Sequence, residues 1–306
     1  MATREIREPG MSGAATGLDH VGLCLADPRP VWAVYEALGF TLSPAARQSG
    51  RRTPDSPVEP YGTGNRCALF REGYVEILGI LDPGLFDNGV KRFVARYEGA
   101  HIIALAVADE QAALARLRRA GIDIPGVSHL ERPVDAPDGP RARFARLPVP
   151  EAPEGRLQLI RHLTPELVWQ DRWLEHANRA VALESVTLVA AEPAESAARL
   201  SRLAGVALEP DPADGFVLPL PGDPAAPVGG PKRPTRIRIL PPDALGTVFP
   251  GVAVPALPFI AGFVIRTDDG NAAARRLLGH LPLRAAPEGL MVPPELAGGA
   301  ALVFAE

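Results

Sequence analysis

The stretch 18–28, Leu-Asp-His-Val-Gly-Leu-Cys-Leu-Ala-Asp-Pro, alternates like a β-strand and stops at Asp27-Pro28, where proline removes a backbone donor and disfavours helix in its neighbour. The spacing of apolar residues then predicts a helix over 30–38, ended by Gly39, the residue that best accepts a left-handed helix terminus. The chain writes this opening again at 183–193, where Ser185 stands in place of His20, and its helix over 194–203 runs up to Gly205. Weaker copies begin at 100–109, with a helix to Arg119 and then Gly121, and at 259–268, with a helix to Leu278 and then Gly279. Four such openings at intervals of about eighty residues are an internal repeat, and each interval has room for several more strands.

Between the openings the pattern predicts the remaining elements. A second strand begins at 40–42, and 47–61, with Pro54, Pro57 and Pro60, reads as a long loop. Residues 65–70 and 74–80 read as a hairpin turning at Arg71-Glu72-Gly73. A connector over 81–99 holds a short helix at 89–97. An amphipathic helix over 109–120 turns Leu114 and Leu117 inward, and strands follow at 128–132, 141–147 and 156–162. Residues 164–183, with Trp169 and Trp173, read as a linker packed on the first half. In the second half, a Pro, Gly and Asp-rich loop over 210–234 holds a short strand at 215–220, and the last strands fall at 289–292 and 300–304. Residues 1–16 read as a flexible tail with no signal-peptide pattern.

Composition narrows the function classes. Net charge is −4 and no Lys/Arg cluster marks a nucleic-acid footprint. No apolar run reaches the length of a membrane-spanning helix. The two cysteines, Cys24 and Cys67, form no disulfide framework, so a reducing, cytoplasmic setting is expected. Cys24, four residues past His20 on the same strand face, is either a ligand or a small packing thiol.

A repeated βαβββ unit whose first strand carries a His resembles the vicinal oxygen chelate superfamily, and within it the glyoxalase-like domain proteins. The phrases that carry the likeness are Leu18-Asp19-His20, Gly62-Thr63-Gly64-Asn65-Arg66, Gly73-Tyr74-Val75-Glu76-Ile77-Leu78 and the run His-Leu-Thr-Pro-Glu-Leu-Val-Trp at 162–169. The resemblance implies an α+β fold of four βαβββ modules, paired into two cupped mixed β-sheets with helices outside. The N-terminal domain would span 17–163 (modules 17–81 and 99–163) and the C-terminal one 184–306 (modules 184–240 and 257–306).

The resemblance also implies a metal site at the first and last strands of the two N-terminal modules. Carried over by position, the ligands are His20, Glu76, His101 and Gln158, with Glu76 as ligand or general base. Gln158 stands where most metal-binding relatives have Glu, and His162, four residues on, is the alternative donor. Two imidazoles, a carboxylate and an amide suit a divalent ion such as Zn, Ni, Mn or Fe. Asn65, Arg66 and Tyr74 are candidate substrate-binding residues, and Trp32 reads as core. With Ser185 opposite His20 and Ile260 opposite His101, the second half reads as metal-free.

The function implied is a metal-dependent lyase or isomerase acting on a small oxygen-rich substrate, the ion stabilising an enolate as Lewis acid. A metal-free binding protein of the antibiotic-resistance (bleomycin resistance-like) kind and an iron-dependent extradiol-type dioxygenase stand as alternatives. The expected partner is a small molecule rather than nucleic acid or membrane, in a monomer or homodimer.

Overall fold

The computed structural model describes residues 13–52, 56–134, 138–150 and 152–305. Strand β1 (Ala15–Leu25) leads to α1 (Arg29–Ala37), then β2 (Ala46–Gly50), β3 (Glu59–Leu69) and β4 (Tyr74–Ile80). After the short helix α2 (Val90–Val94) the order returns as β5 (Gly99–Val107), α3 (Glu110–Arg119), β6 (Ser128–Pro133), β7 (Arg141–Pro148) and β8 (Arg156–His162). It returns again as β9 (Ala180–Val189), α4 (Pro193–Ala204), β10 (Glu209–Asp211), β11 (Gly215–Leu220) and β12 (Thr235–Leu240). Past α5 (Leu245–Val248) come β13 (Phe259–Thr267), α6 (Ala272–Leu278), β14 (Arg284–Ala286), β15 (Gly289–Val292) and β16 (Ala301–Ala305).

In each unit the first strand runs parallel to the last, as β1 does to β4 and β5 to β8. First strands then pair antiparallel across units, β1 with β5 and β9 with β13, making two runs of eight strands. The runs meet through the pairing of Ile260 with Ala100. This is the repeated βαβββ architecture that the family resemblance implies.

Period-two alternation decides which face each residue takes. In the first strands Val21, Leu23, Ile103 and Leu105 face the helices and are buried with Trp32 and Tyr35 of α1 and Leu117 of α3. The same hydrophobic cluster takes in Leu200 of α4 together with Val186 and Phe263, so side chains from both halves share one core. Each fully buried aromatic there contributes on the order of 2–3 kcal/mol by leaving water. Asp109 caps α3 by accepting from the backbone N–H groups of Gln111 and Ala112, which accounts for that helix starting where it does.

Three local expectations change. The stretch read as a loop over 47–61 contributes to two strands, β2 and the start of β3, because its backbone gains a ladder (Ala46 opposite Asn65, Gly50 opposite Glu59) that outweighs low strand propensity. Residues 40–42 form only a single bridge, Leu42 with Ala68. Strand β1 begins at Ala15, inside the stretch read as tail; residues 1–12 lie outside the described residues.

The linker is pinned rather than loose. His176 accepts from the backbone N–H of Thr41 at Nδ1 (3.0 Å), and its Nε2–H donates to Leu69 O (2.8 Å). Asn178 donates to Leu38 O and accepts from Ala180 N–H, which ties the end of α1 to the start of β9. Trp169 lies flat on Gly229 (φ +79°), where a Cβ would come within 1.9 Å of the indole, so only glycine fits beneath the ring.

Candidate active site in the N-terminal cup

The face of β1, β4, β5 and β8 opposite the helices carries His20, Gly22, Tyr74, Glu76, Ile102, Ala104, Gln158 and Ile160, as the ladder registers require. Three register shifts interrupt the β1–β5 ladder. At the middle one, Leu18 pairs with Leu105 and His20 with Ala104, leaving Asp19 as the extra residue. A bulge re-aims side chains that would otherwise alternate, and here it sets Asp19 beside His20. The Asp19 carboxylate lies 2.6 Å from His20 Nδ1 and 3.1 Å from His162 Nε2.

The resulting cluster is buried: Asp19 is 2% and His20 3% exposed. The Asp19 carboxyl sits far below the ordinary carboxylate range: burial opposes its charge, but the charge and hydrogen bonds of His162, then those of His20, outweigh it. An ionised carboxylate can only accept, so Asp19 turns the His20 Nδ1–H toward itself, and in the neutral ring this leaves the Nε2 lone pair as the acceptor. That lone pair faces the Gln158 amide nitrogen at 3.3 Å, a donor matched to an acceptor. Tyr74 stacks on the His20 ring at 4.4 Å, and Trp169 meets His162 edge-on at 4.5 Å. A line of side chains thus runs from His162 through Asp19 and His20 to Gln158.

Glu76 lies on the same face, its ladder partner on β1 being Gly22. It is half-buried, and Asn65 of β3 donates its amide to Glu76 Oε1. Sequence reasoning therefore places His20, Glu76, Gln158 and Asn65 on the face where the structure has them.

His101 is elsewhere. The last shift pairs Gly22 with Ile102 and Leu23 with Ala100, so His101 is the extra residue. Its ring stacks on Tyr97 at 3.9 Å with Phe93 5.1 Å away, and its Nε2–H donates to Tyr97 O (2.8 Å). Burial pushes its pKa down to about 4, so the ring is neutral at pH 7. The β1–β5 register explains the error. Exchanging the two modules about the pair Val21–Ile103 carries His20 onto Ile102 and Gly22 onto Ala104, and hence Glu76 onto Gln158. The counterpart of His20 is Ile102.

The other candidates sort by face. Arg66 alternates with Asn65 and points away from the cup: it pairs with Glu36 of α1 (2.8 Å) and donates to Ser43 O (2.8 Å). Tyr74 is a buried wall of the site rather than an open contact surface. Burial raises the thiols of Cys24 and Cys67 to about 12, which keeps them protonated and packing. His162 holds Asp19 from behind and does not replace Gln158. Trp32 is core, donating its indole N–H to Ile77 O (3.0 Å). Asp19 was missed as a partner of His20; the signal for it was a charged residue inside an otherwise apolar strand.

The second cup carries different chemistry on the same frame. Ser185 has Arg236 beside it, and Thr187 has Arg238 in the position of Glu76. Arg238 is held by Asp211 (2.7 Å) and Glu288 (3.3 Å), and Arg236 by Glu288 (2.9 Å), a network closed on itself.

Among the described residues no group of three or more His, Cys, Asp or Glu side chains is placed to hold a metal ion. No helix of the described chain is long and apolar enough to cross a membrane.

Comparison with known proteins agrees with this frame. A manganese(II)-bound glyoxalase from Novosphingobium aromaticivorans superposes with a TM-score of 0.55 at 13% identity, covering 95% of this chain and 82% of that one. A hypothetical protein from Staphylococcus aureus gives 0.55 at 12% identity over 94% and 98% of the two chains. A mutant 4-hydroxymandelate synthase from Streptomyces coelicolor gives 0.52 at 15% identity over 90% and 78%. At these identities the likeness is one of fold. A search of curated proteins finds no match. The family model for the glyoxalase-like domain matches residues 18–204, more than half of the chain. By that match and by its repeated βαβββ fold, the chain belongs to the glyoxalase-like domain family of the vicinal oxygen chelate superfamily.

Proposed function

We propose that the N-terminal cup holds a divalent metal ion through three side chains, His20, Glu76 and Gln158, and performs a lyase- or isomerase-type proton transfer on a small oxygen-rich substrate. The observation that carries this reading is the alignment Asp19–His20–Gln158. Metal-bound imidazoles characteristically donate their second ring N–H to a carboxylate that fixes the tautomer, and Asp19 does this for His20 at 2.6 Å. The free His20 Nε2 then lies 3.3 Å from the end of the Gln158 amide. At that separation the two groups would lie within reach of one divalent ion. A half-turn of the amide presents its oxygen instead of its nitrogen.

The donor set is one imidazole, one carboxylate and one amide. It lacks the second imidazole expected from the sequence, and its oxygen content suits a hard ion such as Mn²⁺ better than a thiolate-rich site would. When bound, such an ion supplies Lewis acidity toward a carbonyl or enolate oxygen. The protein's own part is proton movement and positioning. Glu76, oriented at Oε1 by Asn65, takes the proton from carbon at Oε2 and returns it to the same or the neighbouring carbon. Tyr74 and Trp169 keep water from the His20–Asp19 pair.

A second reading, a metal-free small-molecule binding protein, has Ile102 in its favour, since an apolar residue fills the place of the fourth donor. Solvent deuterium exchange separates the two. Metal-loaded wild-type protein is expected to exchange the α-hydrogen of 2-oxo and 2-hydroxycarbonyl compounds. Glu76→Gln, which keeps an oxygen donor but cannot accept the proton, should retain metal and lose at least about 100-fold in exchange rate. Equal exchange by Glu76→Gln and wild type overturns the assignment of the base.

A further inference from the structure

Strand β7 sends Arg146 onto the cup face, since its ladder partner on β8 is Ile160, two residues from Gln158 on the same side. Arg146 is half-buried, with its Nε atom sealed from solvent, and burial lowers its pKa. It makes no ion pair within 4 Å among the described residues. Its one hydrogen bond there is a long one, 3.5 Å from Nη1 to Gln158 Oε1, and the buried Nε–H donates to nothing. Several other arginines of the chain are paired. Arg66, Arg199, Arg236 and Arg238 each sit against a carboxylate at 2.7–2.9 Å.

The acids that share the cup are already engaged. Asp19 lies between two imidazoles, and Glu76 takes the Asn65 amide. Arg156, the next cation on that face, lies over Phe93 and donates to Asn88 O (2.6 Å) without an acid of its own. A half-buried cation with an idle, sealed N–H and no carboxylate within ion-pair distance is costly to the fold, and it persists when something else supplies the anion. A guanidinium with its Nε edge free presents two parallel donors, the fork that receives a carboxylate side-on.

We infer that Arg146 receives the negative group of the substrate, so that the cup takes a small organic oxyanion, a carboxylate or phosphate, with the reacting carbon toward His20 and Glu76. The inference rests on the small-molecule reading of the cup but not on the metal. Arg146 is then a specificity-determining residue. Without an ion, Gln158 lies between the two, accepting from Arg146 at Oε1 and facing His20 with its amide nitrogen, so its place on β8 spaces the anionic group from the reacting centre.

The test is calorimetric titration of acetate, pyruvate and inorganic phosphate into chelator-treated and metal-loaded protein, comparing wild type with Arg146→Gln, Arg146→Lys and Arg146→Met. A charge-assisted bidentate contact is worth about 10–100-fold in affinity. One class of probe should bind wild type in both metal states, weaken by that factor in Arg146→Gln and recover in part in Arg146→Lys. Acetate and pyruvate against phosphate decide the class of anion. Arg146→Met should unfold at a higher temperature than wild type in the absence of anion, because it removes a half-buried charge that has no ion-pair partner; a purely structural arginine would give the opposite shift. Probe binding by Arg146→Gln equal to wild type, or no binding of any probe to wild type, overturns the inference. Anion binding that survives in protein unable to take up metal leaves Arg146 standing and counts against the metal site alone.

Discussion

Ile102→His is expected to tighten metal binding by on the order of 10–100-fold, since an added ligand counts at least as much as the outer partners whose loss costs that factor. Ile102 is the residue that module exchange carries onto His20, and it faces Gly22, so the new ring would stand over a position with no side chain. Ile102 is 1% exposed, and putting a polar ring there costs roughly 1–3 kcal/mol of stability in the metal-free protein. Added Mn²⁺ or Zn²⁺ should return that loss and raise the unfolding temperature above that of metal-loaded wild type. Chelator competition measures the affinity. Unchanged affinity in a folded variant would mean that Ile102 does not border the ion and that the register argument locates the wrong centre.

Asp19→Asn should weaken the same site by about 10–100-fold through a different cause. The carboxylate meets His20 Nδ1 at Oδ1 (2.6 Å) and lies nearest His162 Nε2 through Oδ2 (3.1 Å). An amide has one oxygen and one NH₂, so one of the two imidazoles meets a donor and must change tautomer. If His20 changes, its proton moves to Nε2 and the lone pair that faces Gln158 is lost. Leaving a buried ring nitrogen unpaired also costs about 1–3 kcal/mol, measurable by urea unfolding. A fall in stability with undiminished metal affinity would make Asp19 a structural residue only.

The fold was legible because its signal repeats. Each unit opens on an alternating strand that stops before a capped or proline-started helix, and a pattern written four times outweighs a misread edge such as 47–61. The face of each cup residue was legible too, because parity alone places Glu76 and Gln158 together. What parity cannot see is a bulge. One extra residue at position 101 turns His101 between Tyr97 and Phe93, and one at position 19 brings Asp19 to His20. The offset left a trace in the sequence: counting back from the strand-ending Asp27 and Asp109, the two histidines are not at the same distance. Arg146 was invisible for another reason. Nothing in a strand reading Arg-Ala-Arg-Phe-Ala-Arg tells which arginine lacks an acid until the strands beside it are in place.

Metal content tests the central claim most directly. Protein prepared without chelator, and again after loading with Mn²⁺, Fe²⁺, Ni²⁺ or Zn²⁺, should carry near-stoichiometric metal. His20→Ala should lose it while staying folded. His101→Ala should keep it in full, since that ring lies outside the cup's donor set. Loss of metal in His101→Ala as severe as in His20→Ala, or wild-type protein that takes up none of the four ions, would contradict the three-donor site.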